Sequence, residues 1–225
     1  MTYLIIILYY RFMKIVDKLP DEVTAENSAI MAIDFQHAFC NPSYEDACGN
    51  RHTDYAATSM ERVRPHFQKA GLQMIWVYMD DRPLIEGTEL EVYLNDDDFE
   101  GDKFYAVHPC EMTDILLPKT SRSLFKGFYA LQAKRVMSEL QKSNLFICGV
   151  SLPECVLHTM CDAIPYVDNI YLVSDLSAQS SFGEDTLAHP IKSIIDMQLN
   201  DLFGTNDIQD VGIVHSRQIL AHLRP

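Results

Sequence analysis

The sequence predicts an α/β protein: a doubly wound, three-layer α/β/α sandwich around a mostly parallel sheet of five or six strands. Three observations support this class. Short apolar runs alternate with helix-like stretches from residue 29 onward. The runs are continuous, as expected for strands that are covered on both faces. The chain of 225 residues is long enough to bury one sizeable core.

Six apolar runs are interpreted as strands. In chain order they are AIMAID (29–34), LQMIWVYM (72–79), DILL (114–117), LFICGV (145–150), NIYLVSD (169–175) and GIVHS (212–216). The last run is expected to form an edge strand. Apolar residues at helical spacing predict helices over 54–69, 126–142, 153–163 and 183–201, followed by a final helical turn. The intervening stretches 35–53 and 80–104 are expected to be loops.

The N-terminal segment is set apart from this pattern. Residues 27–225 are expected to form one domain, and residues 1–26 an extension or accessory segment. The apolar run YLIIILYY (3–10) has three interpretations: an extra strand or packing segment, a non-native extension upstream of a start at Met13, or a membrane or export anchor. The anchor is the least favoured, because the run is about half the length that crosses a bilayer and no basic residue precedes it.

Composition excludes several classes of partner. The formal net charge is -14, and no cluster of lysines and arginines offsets it, so we expect no nucleic-acid partner and no stable membrane association. The six cysteines form no CxxC pair, and a chain of this length does not need disulfides. A reducing, cytoplasmic location is therefore expected.

Three chemically reactive side chains follow predicted strands. Asp34 ends the first strand, Lys119 follows the third, and Cys155 comes shortly after the fourth, near the start of a predicted helix. Parallel strands end at one edge of a sheet, where binding sites form. A helix N-terminus and a lysine stabilise a thiolate, and a carboxylate accepts its proton. Taken singly, the three are more simply a turn residue, a surface lysine and a buried thiol, so this pattern leaves both interpretations open.

Three segments together resemble the isochorismatase-like cysteine hydrolases. They are AIMAIDFQHAF (29–39), LLPKTSRSLF (116–125) and ICGVSLPECVLHTMCDAI (147–164). The likeness spans about residues 27–182. The residues that match the three motifs of this family are Asp34, Gln36 and Phe39, then Lys119, Ser123 and Phe125, then Gly149, Val150, Ser151, Cys155, Val156 and Thr159.

This resemblance implies a catalytic triad of Asp34, Lys119 and Cys155. It also implies a cis peptide bond between Val150 and Ser151, and an oxyanion hole formed by the backbone N–H groups of Ser151 and Cys155. The implied reaction is hydrolysis of a small amide or related C–N acyl compound through a thioester. Two alternatives stay open: vinyl-ether hydrolysis of the isochorismatase type, which depends more on Asp34 as a proton donor, and a catalytically silent binding protein on the same fold. Relatives commonly form dimers or tetramers, so a homo-oligomer acting on a small-molecule substrate is expected.

Four further residues are candidates for substrate contact: Phe39, Trp76, Arg122 and Phe125. Arg122 would bind an anionic substrate through paired hydrogen bonds, and its alternative is a solvated surface arginine. For Trp76, in a buried strand, core packing is the favoured alternative.

No metal or other cofactor is expected. Nicotinamidases of the family carry a metal site after the second strand, with an Asp followed two residues later by a His. Here that stretch reads MDDRP (79–83), so Asp80 stands at the Asp and Arg82 at the His position. A guanidinium is a poor metal ligand. His158, one turn after Cys155, is expected to have a packing role.

Overall fold

A computed structural model describes residues 13–44, 48–80, 82, 103–110, 112–180 and 211–223. The apolar run at 3–10 and the predicted helix over 183–201 lie outside the described residues, as does most of the acidic stretch 80–104.

The described strands form one parallel sheet of seven. Their bounds are Met13–Ile15 (β1), Ser28–Ile33 (β2), Gln73–Met79 (β3), Ile115–Lys119 (β4), Asn144–Gly149 (β5), Asn169–Ser177 (β6) and Val211–Val214 (β7). The spatial order is β1-β7-β6-β5-β2-β3-β4, and all neighbouring strands run parallel. The six predicted strands and the doubly wound topology are confirmed.

Strand β1 makes the sheet larger than predicted. It pairs with β7 in the register Met13↔Val211 to Ile15↔Ile213. Strand β7 therefore lies between β6 and β1, and the prediction that it forms an edge of the sheet is wrong. The reason is that a three-residue strand, MKI, covers that edge, and so short a segment has no apolar run by which it could be recognised.

The helices lie on both faces of the sheet. Their bounds are His37–Cys40 (α1), Arg51–Lys69 (α2), Ala130–Leu140 (α3), Leu157–Ala163 (α4) and Ser216–His222 (α5). Helix α2 begins where the Asn50 side chain accepts hydrogen bonds from the N–H groups of His52 and Thr53. A π-helical turn, Leu152–Val156, leads directly into α4.

Two apolar clusters hold the three layers together. Ile30 of β2 belongs to the cluster that packs against α2 and α5, and its neighbour Met31 to the cluster that packs against α3 and α4. Successive strand residues point to opposite faces, so a strand covered on both sides is a nearly continuous apolar run. All six residues of β2 are accordingly buried.

Trp76 belongs to this core. Its side chain is fully buried in the cluster beneath α2, and its indole N–H donates to Asp114 Oδ2 at 2.8 Å. The same Asp114 oxygen accepts the backbone N–H of Cys110 at 2.9 Å, which fixes the chain just before β4. We therefore assign Trp76 to the core and not to substrate binding.

Replacement Trp76→Phe is expected to destabilise the fold without changing its chemistry. The variant loses the hydrogen bond to Asp114 and leaves a small cavity, so the free energy of unfolding should fall by ~1–3 kcal/mol. Urea denaturation measures this change. A rise in KM at unchanged stability would instead indicate that Trp76 contacts the substrate.

Candidate active site

Asp34, Lys119 and Cys155 converge at the carboxyl edge of the sheet. Asp34 directly follows β2, Lys119 ends β4, and Cys155 lies in the π-helical turn after β5. The Lys119 Nζ lies 2.9 Å from Asp34 Oδ2 and 3.2 Å from Cys155 Sγ. Strands β4 and β5 are separated in the sheet by β3 and β2, and the long side chain of Lys119 reaches across this distance. The spatial grouping expected from the strand ends is present.

The ammonium group of Lys119 is fully buried and contacts three groups. It forms an ion pair with Asp34, and it donates hydrogen bonds to Cys155 Sγ at 3.2 Å and to the backbone carbonyl of Ser121 at 3.0 Å. Full burial of a lysine is costly unless its charge is paired and hydrogen-bonded in this way. Sequence reasoning missed Ser121 because its contribution is a backbone carbonyl, which leaves no signal in the residue type.

Burial dominates the electrostatics of the three groups. Burial raises the pKa of Cys155 to about 12; Asp34 adds to this effect and Lys119 opposes it. Burial also raises the pKa of Asp34, although the ion pair with Lys119 partly offsets it. For Lys119, burial lowers the pKa, but Asp34 and Cys155 outweigh it and the net shift is upward. At neutral pH Cys155 is therefore a thiol beside an ammonium ion, and Asp34 is a stronger base than an ordinary carboxylate.

This protonation state corrects one expectation. The helix start and the lysine were expected to stabilise a thiolate at Cys155, but burial and the carboxylate of Asp34 outweigh Lys119. The turn that carries Cys155 is also π-helical, not α-helical. Little thiolate is therefore present at Cys155 near neutral pH.

Gly149 allows the chain to pass close to β2 on its way to Cys155. Its φ is +133°, a region that favours glycine, and an added Cβ would lie 2.1 Å from the carbonyl oxygen of Ile33. Any other residue would push the end of β5 away from Ile33 of β2, the residue that precedes Asp34.

Ser151 lies between β5 and the π-helical turn that carries Cys155. The peptide bond between Val150 and Ser151 is cis. The Ser151 hydroxyl oxygen accepts the backbone N–H of Ser180 at 3.3 Å. Within the part of the chain that the structure describes, the backbone N–H of Ser151 has no hydrogen-bond acceptor, so it is available to an incoming oxygen.

The remaining candidate contacts differ in their surroundings. Arg122 is exposed, and its Nε lies 2.8 Å from Glu154 Oε2. Glu154 is the residue that precedes Cys155 in the chain. Phe125 is buried and stacks on Tyr166 with 5.0 Å between the ring centroids. Phe39 is half-buried against the cluster beneath α2. The structure gives Phe125 a packing role, while substrate contact by Phe39, Arg122 and Phe125 stays a prediction.

Asp80, at the end of β3, does not fit a metal site. Arg82 donates from Nε to Oδ1 at 2.7 Å and from Nη2 to Oδ2 at 2.9 Å, and Tyr129 donates its hydroxyl to Oδ2 at 3.0 Å. Burial raises the pKa of Asp80, but the bonds from Arg82 and Tyr129 outweigh it and lower the pKa. A guanidinium therefore occupies both carboxylate oxygens. Among the described residues, no group of three or more His, Cys, Asp or Glu side chains is placed to hold a metal ion.

His158 contacts the turn that precedes its helix. Its Nδ1 lies 2.7 Å from the carbonyl oxygen of Glu154, four residues earlier in the π-helical turn. The packing role expected for His158 stays a prediction.

Comparison with solved structures establishes the class of the fold. A cysteine hydrolase from Pseudomonas syringae pv. phaseolicola aligns with a TM-score of 0.66 and 14% identity, covering 93% of this chain and 96% of that chain. An N-carbamoylsarcosine amidase from Thermoplasma acidophilum aligns with a TM-score of 0.56 and 15% identity, covering 84% of this chain and 96% of that chain. A nicotinamidase from Bacillus subtilis aligns with a TM-score of 0.53 and 22% identity, covering 68% of this chain and 87% of that chain. At these identities the matches show a shared fold.

Residues 28–189 match the model of the isochorismatase domain. The matched segment is more than half of the chain, and the chain therefore belongs to the isochorismatase family of hydrolases. The family predicted from the three sequence motifs is confirmed. No curated protein sequence matches the chain significantly. No helix in the described residues is long and apolar enough to cross a membrane.

Proposed function

We propose that this protein hydrolyses a small amide or related C–N acyl compound, with Cys155 as the nucleophile. One observation carries the proposal: a single buried ammonium, Lys119, contacts both the carboxylate of Asp34 and the sulfur of Cys155. A thiol, a base and a fixed positive charge are the parts that nucleophilic acyl transfer requires.

The first half-reaction forms a thioester. Asp34 accepts the thiol proton while Cys155 Sγ attacks the carbonyl carbon, giving a tetrahedral intermediate. The N–H groups of Ser151 and Cys155 hold the negative oxygen, and Lys119 stabilises the charge on Asp34 and sulfur. The intermediate then expels the amine, which leaves with the proton that Asp34 returns.

The second half-reaction releases the acid. Asp34, again a carboxylate, accepts a proton from a water molecule as the water attacks the thioester carbon. The carbon–sulfur bond breaks, and the proton on Asp34 passes to the departing sulfur. Each proton that Asp34 accepts is later given up, so the enzyme ends as it began.

The comparisons support this reaction class. Two structures that share the fold are described as an N-carbamoylsarcosine amidase and a nicotinamidase, and both of those names denote C–N hydrolysis. The Asp80–Arg82 pair separates this chain from the metal-containing pattern expected of nicotinamidases, so we propose a metal-independent reaction. A cytoplasmic homo-oligomer remains our expectation for the assembly and its location.

A substrate panel combined with intact-mass spectrometry tests the proposal. The purified protein is incubated with small amides, ureides and hydrazides. Samples are quenched with acid during turnover, and the mass of the protein is measured. We expect ammonia or amine release with at least one compound, together with a mass increase equal to its acyl group on the peptide that contains Cys155. Turnover without any acyl adduct, retained in Cys155→Ala, would contradict the covalent route.

Vinyl-ether hydrolysis is the second candidate. The raised pKa of Asp34 favours it, because the carboxyl group then keeps a transferable proton to higher pH than an ordinary aspartic acid does. Isochorismate belongs in the same panel for this reason. Its turnover by Cys155→Ala would identify Asp34 as the principal catalytic group.

Arg122 is expected to select for substrates that carry a negative charge. In Arg122→Gln we expect KM for an anionic amide to rise about tenfold at unchanged kcat, since a charge-assisted hydrogen bond is lost. Stability should change by at most about 1 kcal/mol, because the Arg122 side of its ion pair with the half-buried Glu154 is exposed. A neutral amide of the same size is the control. Equal effects on both substrates would show that Arg122 is a solvated surface residue.

A further inference from the structure

Gln36, two residues after Asp34, is fully buried and binds the end of β3. Its side-chain Nε2 donates to the carbonyl oxygen of Met79 at 3.1 Å, and its Oε1 accepts the backbone N–H of Met79 at 2.7 Å. A carboxamide offers one acceptor and N–H donors in a plane, as a peptide group does. The side chain thus makes the two bonds that a neighbouring strand would otherwise make.

The backbone cannot make these bonds because it leaves the sheet at Asp34. The Asp34 N–H still donates to the carbonyl of Val77 at 2.8 Å, one step beyond the last paired residues, Ile33 and Val77. Asp34 then adopts a φ of +55°, a left-handed conformation that is uncommon for residues other than glycine. The turn carries the chain away from β3 and leaves the next ladder position, at Met79, to the side chain of Gln36.

Met79 is also the residue of β3 that pairs with Lys119. The register of β3 and β4 places Met79 opposite Lys119, and the N–H of Asp80 donates to the Lys119 carbonyl at 2.8 Å. Gln36 therefore joins the backbone just after Asp34 to the strand position beside Lys119. The ion pair of 2.9 Å between Asp34 and Lys119 spans the same gap.

We infer that Gln36 is a positioning residue that sets the separation of Asp34 and Lys119. It acts through the backbone of Met79, and its importance for turnover rests on the proposed function. Without its two bonds, Met79 at the end of β3 is no longer fixed to the chain after Asp34, and the bond from the Asp34 N–H to Val77 is then the last tie between the two. The carboxylate is therefore held less closely against the ammonium and the sulfur.

Gln36→Met, compared with Gln73→Met, tests this inference. Methionine keeps the length of the side chain and removes both bonds. Gln73 is a matched control, because it is the first residue of β3 and so lies at the opposite end of this strand from Met79. Its Nε2 also donates to two backbone carbonyls, those of Met74 at 3.0 Å and Thr113 at 3.1 Å. Crystal structures give the distance from Asp34 Oδ2 to Lys119 Nζ, and the rate of Cys155 alkylation by iodoacetamide as a function of pH reports how Asp34 acts on the thiol.

In Gln36→Met we expect that distance to lengthen beyond about 3.5 Å. The alkylation rate at a fixed pH below the thiol pKa should rise about threefold or more, because Asp34 no longer raises the pKa as strongly. Gln73→Met should leave both unchanged. If Gln36→Met does not fold, Gln36→Glu, which keeps the acceptor for Met79, takes its place. An unchanged distance and alkylation profile, even at lower stability, would overturn the inference, whereas failure of the proposed function would appear as turnover by Cys155→Ala.

Discussion

Cys155→Ala is expected to lower kcat/KM for an amide substrate by at least about 10³-fold. The substitution removes the atom that forms the thioester, and the described residues place no other thiol within hydrogen-bonding distance of Lys119. The free energy of unfolding should fall by ~1–3 kcal/mol, because the buried ammonium of Lys119 loses one of its acceptors. Steady-state kinetics with the compound found in the panel measures the effect.

Cys161→Ala is the matched control for this experiment. Cys161 lies on α4, six residues after Cys155, and is half-buried. Burial raises the pKa of Cys161 to about 12 as well, but its charged neighbours are Asp162 and Lys126, whereas those of Cys155 are Asp34 and Lys119. We expect Cys161→Ala to keep kcat/KM within about twofold of the parent protein. Equal activity of the two variants would mean that the sulfur of Cys155 takes no part in the chemistry.

Asp34→Asn is expected to damage both turnover and stability. Turnover should fall at least about 10³-fold, since an amide cannot accept the thiol proton. The free energy of unfolding should fall by ~3 kcal/mol, because the fully buried ammonium of Lys119 loses its counter-charge. Chemical denaturation and steady-state kinetics measure the two effects separately.

Asp175→Asn is the control for the loss of a carboxylate at this edge of the sheet. Asp175 lies in β6 and accepts hydrogen bonds from the N–H and hydroxyl of Ser216 at 2.8 and 2.6 Å. It has no contact with Lys119 in the structure of the described residues. We expect near-normal kcat/KM in Asp175→Asn. A similar loss in both variants would indicate a general effect of charge and not a base at Asp34.

Much of the fold could be predicted because each central strand contains a continuous apolar run. The six runs from AIMAID to GIVHS stand out for this reason, and their ends locate Asp34, Lys119 and Cys155 at one edge. Strand β1 could not be found in this way. Its pairing with β7 depends on a neighbour almost 200 residues later in the chain, which a local pattern cannot report.

The finer details of the site were hidden for similar reasons. The Ser121 carbonyl belongs to the backbone and is independent of residue type, and the π-helical turn at Cys155 has no recognised sequence signal. Trp76 was ambiguous because a buried strand near a site can face either a pocket or a helix layer. Its partner, Asp114, is 38 residues away in the chain, and only the tertiary structure brings them together.

The pH dependence of Cys155 alkylation in the parent protein and in Asp34→Asn tests the central claim most directly. Peptide mass spectrometry follows iodoacetamide labelling of each cysteine. In the parent protein the Cys155 rate should rise steadily with pH towards a midpoint of about 12, because burial and Asp34 both raise the thiol pKa. In Asp34→Asn the midpoint should move to lower pH, so that the sulfur becomes more reactive while turnover is lost. Superimposable profiles in the two proteins would contradict a site in which the carboxylate, the ammonium and the sulfur act on one another.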